Sequence, residues 1–218
     1  MSTYRALLVD WGGVLTVPLD GAMAAWAQAD GVDFEHFADV LRGWRELEAG
    51  EAGAGPAAAP VHALERGELS AEDFEKLLAD ELHARGSRVS AAGLLGRMLA
   101  GLETPEPAMH DLVRRARAAG VRTALLSNSW GNTYDRTGWD DMFDAVVISG
   151  EVGMRKPEQR IFTHAAEAVG VPPEHCVLVD DLPWNIDGAR AAGMAAVLHR
   201  GDVPATAGEL TGLLGVEL

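Results

Sequence analysis

The sequence has one cysteine, few lysines and no long hydrophobic run. The single cysteine, Cys176, excludes an intramolecular disulfide, and its apolar neighbours predict a small buried side chain without chemistry of its own. No apolar segment approaches the length of a membrane-spanning helix, and the first residues carry no secretory signal. We therefore expect a cytoplasmic protein that makes no membrane contact.

Basic charge is also scarce, because 33 acidic residues give the 218-residue chain a formal charge of −15 at pH 7. Nucleic acids and anionic membranes both require a basic face, so we expect neither as the main partner. A small anionic substrate would require local positive charge instead. Only Lys76 and Lys156 are lysines among the 18 basic residues, so each needs an explanation in a chain that otherwise uses arginine.

Five short apolar runs rich in β-forming residues are mostly separated by helical patterns. They cover residues 4–9, 121–126, 145–148, 176–179 and 195–198. Three intervening helices, 105–119, 157–169 and 183–192, each begin at a proline and end before a glycine. This alternation predicts an α/β fold with a Rossmann-like parallel sheet and flanking helices.

Residues 17–101 have almost no strand character and form what we call the helical insertion. Apolar residues at three- and four-residue spacing predict helices over 20–29, 34–49, 70–85 and 90–100, and the Gly/Ala/Pro tract 50–60 predicts an irregular link. Ser70 is predicted to cap the third of these helices. The expected core side chains of the insertion are Trp26, Phe34, Phe37, Trp44, Phe74, Leu77, Leu78 and Leu82. We expect a catalytic core of residues 1–16 and 102–218, with the insertion as a cap domain over its active edge.

The first strand ends on Asp10, followed by Trp11-Gly12-Gly13. A carboxylate at the carboxyl end of a buried strand, next to glycines that let a ligand approach, is typical of a catalytic residue in an open α/β sheet. An ordinary Asx turn explains this segment equally well when it is considered alone. The ends of the later strands must decide between the two.

Those later ends also carry polar side chains. Ser127 and Asn128 close the second run and are suited to binding phosphate oxygens, and Asp180-Asp181 close the fourth. Two acids at a buried strand end require a cation or donors, and strand alternation predicts that they point to opposite sides. Lys156 precedes a helix-opening proline, where a cation is poorly placed, so we expect an anion such as Asp180 or a phosphate beside it.

Asp10, Ser127-Asn128, Lys156 and Asp180-Asp181, in this order, resemble the four motifs of the haloacid dehalogenase superfamily over essentially the whole chain. The helical insertion resembles that superfamily's first type of cap. The blocks 127–130, 151–158 and 179–181 are similar to the amino-terminal phosphatase domain of soluble epoxide hydrolases and to bacterial sugar-phosphate phosphatases.

The resemblance implies a phosphatase that acts on a small phosphorylated metabolite. Asp10 would attack phosphorus to form an aspartyl-phosphate, and Mg²⁺ would be held by Asp10, the Gly12 carbonyl and Asp181. Ser127, Asn128 and Lys156 would bind the phosphoryl oxygens, with Asp180 orienting Lys156. The amide groups of Trp11 and Gly12 would complete the cradle.

Gly12 departs from the superfamily, most phosphatases of which place an aspartate there as general acid and base. Loss of that acid predicts slow turnover or a preference for good leaving groups, unless the cap supplies a replacement. A catalytically weak protein that binds phosphate and Mg²⁺ stays open on this ground. A 2-haloacid dehalogenase that uses Asp10 as its nucleophile also stays open, although metal-independent enzymes of that kind typically place an aromatic residue at the position of Gly12. Residues 127–131 also partly resemble the nucleophile elbow of a serine hydrolase, with His164, His175 or His199 downstream. The first glycine of that elbow is absent, and a serine hydrolase would leave Lys156 and the acid pair unexplained.

Overall fold

The computed structural model describes residues 4–50, 59–100, 104–131 and 134–218. In chain order the longer elements are β1 Ala6–Val9, α1 Leu19–Asp30, α2 Phe34–Gly50, α3 Pro60–Glu65, α4 Ala71–Ala84, α5 Leu94–Leu99, α6 Pro107–Ala118, β2 Arg122–Ser127, β3 Ala145–Ile148, α7 Ser149–Val152, α8 Gln159–Val169, β4 Cys176–Asp180, α9 Pro183–Ala191, β5 Ala195–Leu198 and α10 Val203–Leu214. Short 3₁₀ turns lie at Trp139–Asp141 and Pro173–His175. Among the described helices, none has the length and hydropathy of a membrane span.

The strands form a parallel sheet in the order β3-β2-β1-β4-β5. This confirms the predicted Rossmann-like α/β fold. Alternate side chains of β1 enter two different cores: Leu7 and Val9 pack on the face that α6 and α10 cover, whereas Ala6 and Leu8 pack on the face that α8 and α9 cover. Both faces of the sheet are therefore buried, which explains why its strands are continuous apolar runs.

The chain leaves the sheet after β1 and returns before α6 at one pair of antiparallel segments. Thr16 forms a bridge with Pro105, the Val17 N–H donates to the Thr104 carbonyl (3.0 Å), and the Glu106 N–H donates to the Leu15 carbonyl (2.9 Å). Helices α1 to α5 lie between these two crossings and bury a hydrophobic cluster of their own. The helical insertion is thus connected to the sheet by two adjacent chain segments, one leaving the sheet and one returning to it.

Most aromatic side chains expected inside the insertion are buried there, but two expected core residues are not. Trp26, Phe37 and Trp44 are buried, whereas Phe34 and Leu77 are exposed. Phe34 is the first residue of α2 and lies beyond the packed turns. Leu77 neighbours the fully buried Leu78, and since adjacent helical positions differ by about 100° only one of them faces the core.

Three local predictions have different outcomes. Ser70 caps α4 as expected, because its hydroxyl oxygen accepts from the Asp73 N–H at 3.1 Å. The prediction that Pro157 opens a helix is wrong: α8 begins at Gln159, and Pro157 follows Lys156 through a cis peptide bond. The irregular link predicted for 50–60 falls mainly on residues 51–58, which lie outside the described residues. Helices α3 and α10 are present in the structure but were not predicted from the sequence.

Candidate active site

The site lies at the carboxyl ends of β1 and β4, two neighbouring parallel strands. From β1 the chain proceeds outward to β2 and β3 on one side, and β4 and β5 continue on the other. Ligands of open α/β sheets bind at such a reversal of strand order. Asp10 follows β1 directly, its N–H donates to the Val179 carbonyl (3.0 Å), and Asp180 ends β4. The two carboxylates that the sequence placed at strand ends are therefore brought to one edge.

Lys156 joins these two carboxylates. Its Nζ lies 2.8 Å from Asp10 Oδ1 and 2.6 Å from Asp180 Oδ2, and its side chain is 1% exposed. The anion expected beside this lysine is therefore Asp180, together with Asp10. The second lysine, Lys76, is exposed and pairs with Glu72 one turn away on α4, as an ordinary surface residue does.

Burial and charge shift the pKa values of this group in opposite senses. Burial raises the pKa of Asp10 to about 7; Lys156 opposes the rise, and the neighbouring Asp180 and Asp181 add to it. The pKa of Lys156 is raised although burial opposes it, because the charges of Asp10 and Asp180 outweigh the desolvation. Lys156 therefore keeps its proton, but its single positive charge does not balance the negative charges of the three carboxylates around it.

Three carboxylates each bring an oxygen to within 4.8 Å of the others, those of Asp10, Asp180 and Asp181. The two neighbouring acids have different surroundings, because Asp180 Oδ2 accepts from Lys156, whereas Asp181 Oδ2 lies beside Gly13. The expectation that these two side chains point to opposite sides stays a prediction. Oxygen ligands suit Mg²⁺, which is usually bound through one or two carboxylates together with water and phosphate.

Gly13 leaves room for the Asp181 carboxylate. A Cβ at this position would lie 2.5 Å from Asp181 Oδ2, and its backbone has a φ of 73°. A side chain here would be strained by its backbone and would also displace the carboxylate. The absence of a side chain at Gly13 therefore lets Asp181 join the cluster of carboxylate oxygens, and that donor set fits a divalent cation.

Asp180 is occupied on both carboxylate oxygens. Its Oδ2 meets Lys156, while Oδ1 accepts from the Leu182 N–H and from Asn185 Nδ2, both at 2.9 Å. Asn185 is 1% exposed on the first turn of α9. Sequence reasoning assigned it no role, although its place five residues after the first acid of the pair was the available signal.

Ser127 and Asn128 lie beside this group but make different contacts. The Ser127 hydroxyl oxygen is 2.9 Å from the Tyr134 hydroxyl oxygen. The side chain of Asn128 is paired with the backbone of Lys156: Oδ1 accepts from its N–H (2.8 Å) and Nδ2 donates to its carbonyl (3.0 Å). In this arrangement Asn128 fixes the loop of Lys156, whereas the sequence assigned its side chain to phosphate.

The turn after Asp10 packs against aromatic side chains. The ring of Trp11 lies 5.8 Å from that of Tyr134 and 5.3 Å from that of Trp139, measured between ring centroids. The Trp11 N–H donates to Asp10 Oδ1 (2.7 Å), so this amide holds the carboxylate here. Its expected contact with a phosphate stays a prediction. The Gly12 carbonyl and amide stay predictions.

A contact between the insertion and the core reaches the same loops. Glu65, the last residue of α3, accepts from Trp130 Nε1 (3.1 Å) and pairs with Arg155, the neighbour of Lys156. No sequence pattern pairs residues so far apart in the chain.

His199, one of the histidines considered for a serine hydrolase, and Ser129 each bond to another residue. His199 is bonded through Nδ1 to Thr206 Oγ1 (2.8 Å), and the Ser129 hydroxyl oxygen accepts from the Gly150 N–H (3.3 Å). Cys176 is fully buried, and burial raises the pKa of its thiol to about 12, in agreement with its expected role as a small core residue.

Comparison with known proteins defines the class. The family of haloacid dehalogenase-like hydrolases matches residues 4–193. Since this match covers most of the chain, the protein belongs to that family. The resemblance inferred from the four motifs is thereby confirmed.

Two relatives of this chain are named as phosphatases. The chain is 29% identical over 157 residues to the sesquiterpene phosphatase astK of Aspergillus oryzae, covering 70% of this chain and 78% of that protein. It is 38% identical over 96 residues to a phosphoserine phosphatase of Thermus thermophilus, covering 42% of this chain and 39% of that protein. Other curated relatives, such as a glyceraldehyde 3-phosphate phosphatase of Methanopyrus kandleri, are likewise matched over less than half of their length, in that case 36%.

A solved structure of the same fold was obtained with ligands. It is a haloacid dehalogenase family enzyme of Bacteroides thetaiotaomicron, in complex with magnesium and inorganic phosphate. The TM-score is 0.58 at 22% identity, over 91% of this chain and 95% of that chain. At this identity the likeness supports the fold.

Proposed function

We propose that the protein is a Mg²⁺-dependent phosphatase that hydrolyses a small phosphorylated metabolite through an aspartyl-phosphate at Asp10. The observation that carries the proposal is the position of Lys156 Nζ, 2.8 Å from Asp10 and 2.6 Å from Asp180 at the reversal of strand order. A buried ammonium fixed beside a carboxylate, with a hydroxyl group at the neighbouring strand end, suits the transfer of an anionic group. The names of the relatives and the ligands of the structural neighbour support the same class of reaction.

The residues that would hold Mg²⁺ are Asp10, the Gly12 carbonyl and Asp181. Asp180 is the least suitable metal ligand of the three clustered acids, because three hydrogen-bond donors already occupy its two carboxylate oxygens. When bound, Mg²⁺ supplies positive charge that offsets the charge of the phosphoryl group and of the acids around it.

In the first step Asp10 forms a bond to phosphorus while the bond to the leaving oxygen breaks. Both donors to the Asp10 carboxylate within the described residues, Lys156 and the Trp11 N–H, use Oδ1, so Oδ2 is the oxygen available for attack. Lys156 and Ser127 bind the phosphoryl oxygens, and their charge and hydrogen bonds stabilise the transition state. Asp180, held by Asn185, keeps Lys156 in place. Water then attacks phosphorus and releases phosphate and the Asp10 carboxylate.

Gly12 places no acid beside the leaving oxygen, so this oxygen takes its proton from solvent. General acid catalysis typically contributes about 10² to 10⁴ in rate, and its loss matters least when the leaving group is a weak base. We therefore expect acyl, anomeric or aryl phosphates to be preferred to simple alkyl phosphates. Introducing Gly12→Asp should raise the rate on alkyl phosphates more than on aryl phosphates.

We further propose that the helical insertion, residues 17–101, is a cap domain on a core of residues 1–16 and 102–218. Its separate hydrophobic cluster and the paired crossings at Thr16 and Pro105 support these boundaries. Its contacts with Trp130 and Arg155 fall on loops at the carboxyl edge of the sheet, which is where a cap would cover the substrate.

The test is a screen of phosphorylated metabolites with and without Mg²⁺, using Asp10→Asn as the blank. Asp187→Asn is the matched control, because this carboxylate is exposed on α9 and its side chain is 78% accessible. We expect Mg²⁺-dependent release of phosphate from the wild type and from the Asp187 variant, and none from the Asp10 variant. Phosphatase activity that persists without Asp10 would refute the mechanism, and chloride release from a 2-haloacid without Mg²⁺ would favour the dehalogenase.

A further inference from the structure

The Tyr134 hydroxyl group lies beside Ser127, 2.9 Å away between oxygens, in the loop that follows β2. We propose that Tyr134 is a positioning residue that donates its proton to Ser127 Oγ and thereby turns the Ser127 hydroxyl proton toward the transferring phosphoryl group. This inference rests on the proposed phosphatase function and extends it to a residue that no motif marks.

The direction of the hydrogen bond follows from what each hydroxyl must do. A hydroxyl has one proton to donate and two lone pairs with which to accept. Phosphoryl oxygens only accept, so Ser127 can bind one only if its own proton is not given to Tyr134. If Ser127 donated to Tyr134, it would present lone pairs to an anion and repel it.

Tyr134 is well suited to be the donor in this pair. Burial raises the pKa of its phenol to about 12, although the hydrogen bond to Ser127 opposes the rise, so the proton is retained near neutral pH. A phenol is also more acidic than an aliphatic alcohol and is therefore the better hydrogen-bond donor. Ser127 is 2% exposed, so little water is available to replace the phenol.

The ring of Tyr134 packs against two of the aromatic side chains at the Asp10 turn, those of Trp11 and Trp139. Its centroid lies 5.8 Å from that of Trp11 in an edge-on arrangement and 5.7 Å from that of Trp139, which is buried. Such aromatic pairs favour particular ring arrangements and stabilise them beyond the effect of burial. The same cluster therefore positions the turn of the nucleophile and the donor to Ser127.

This role differs from that of a general acid. The Tyr134 proton is committed to Ser127 and does not pass to the leaving oxygen, so it does not replace the acid that Gly12 lacks. Loss of the phenol should slow all substrates by the same factor, whatever their leaving group.

The test compares Tyr134→Phe with Tyr4→Phe, which removes the other of the chain's two phenol hydroxyls. Removing a donor to the transition state outright costs about 10² to 10³ in kcat, so misdirecting one that is still present should cost less, about tenfold. We expect this loss in kcat for Tyr134→Phe with an aryl and with an alkyl phosphate alike, little change in KM, and an unchanged melting temperature. Tyr4→Phe should behave as the wild type.

The Ser127→Ala background separates positioning from other effects. There, adding Tyr134→Phe should lower kcat no further, since the two residues act as one unit. A further loss in that background, a larger loss with alkyl than with aryl phosphate, or a wild-type kcat in the single variant would each overturn the inference. If the wild type itself lacks phosphatase activity that depends on Asp10, the proposed function fails and this inference fails with it; a wild-type kcat in Tyr134→Phe leaves the proposed function intact.

Discussion

Glu65 of the helical insertion and Arg155 of the sheet loop form an ion pair whose side chains are 9% and 12% exposed, respectively. The two residues are 90 positions apart in the chain, and Arg155 directly precedes Lys156. Trp130 donates to the other carboxylate oxygen of Glu65 from the loop after β2. One acid of the insertion therefore joins the loop that follows Ser127 to the loop that carries Lys156.

We predict that Glu65→Ala lowers the free energy of unfolding by about 3 kcal/mol, because it leaves Arg155 buried without its partner. Glu68→Ala is the matched control: Glu68 pairs with Arg66 but is 44% exposed, and exposed pairs contribute about 0 to 1 kcal/mol. Urea denaturation of both variants measures the difference. Equal losses would show that the buried pair has no special importance.

The sheet was predictable because its signals are local. Each strand is a short apolar run, and its polar end, as at Asp10 or Asp180, needs no distant partner to be recognised. Glycine after α6, α8 and α9 ended these helices where expected, with φ between 73° and 90° at Gly170, Gly120 and Gly193.

The contacts that position the site were less predictable, because they depend on packing between distant segments. Tyr134 meets Ser127, and Glu65 meets Arg155, without any periodic pattern. Asn128 was predicted at the site but its contact was not, since only the folded loop shows that its amide matches the backbone of Lys156.

The space beside Asp181 gives a second prediction. Gly13→Ala should weaken Mg²⁺ activation, because the new methyl group would lie 2.5 Å from Asp181 Oδ2 and force the carboxylate to move. It should also destabilise the fold by about 1 to 2 kcal/mol, the cost of the left-handed conformation for a residue with a Cβ. The Mg²⁺ concentration for half-maximal activity and the urea midpoint measure the two effects.

Gly170→Ala is the control for that substitution. Gly170 has the same φ of 73°, but a Cβ there would meet nothing within 4 Å. It should show the loss of stability without the change in Mg²⁺ dependence. If both variants need the same Mg²⁺ concentration as the wild type, the position of the Asp181 carboxylate beside Gly13 is not required for Mg²⁺ binding.

A third prediction concerns pH and His199, which follows β5 and is 4% exposed. Thr206 donates its hydroxyl proton to the Asp202 carbonyl (3.0 Å), so its oxygen is left to accept from His199 Nδ1. Burial lowers the pKa of His199, while the charges of Glu106 and Asp202 oppose the shift. The unfolded chain, with a histidine pKa near 6.5, therefore binds this proton more readily than the folded protein.

Because the unfolded state takes up more protons, the contribution of His199 to stability is present above about pH 6.5 and decreases as the pH falls below it. His199→Asn keeps a donor near the position of Nδ1 but does not titrate. Urea midpoints between pH 7.5 and 5.5 should therefore fall more steeply for the wild type than for this variant. Parallel curves would show that His199 is protonated equally in both states, and a steeper fall in the variant would reverse the sign of the argument.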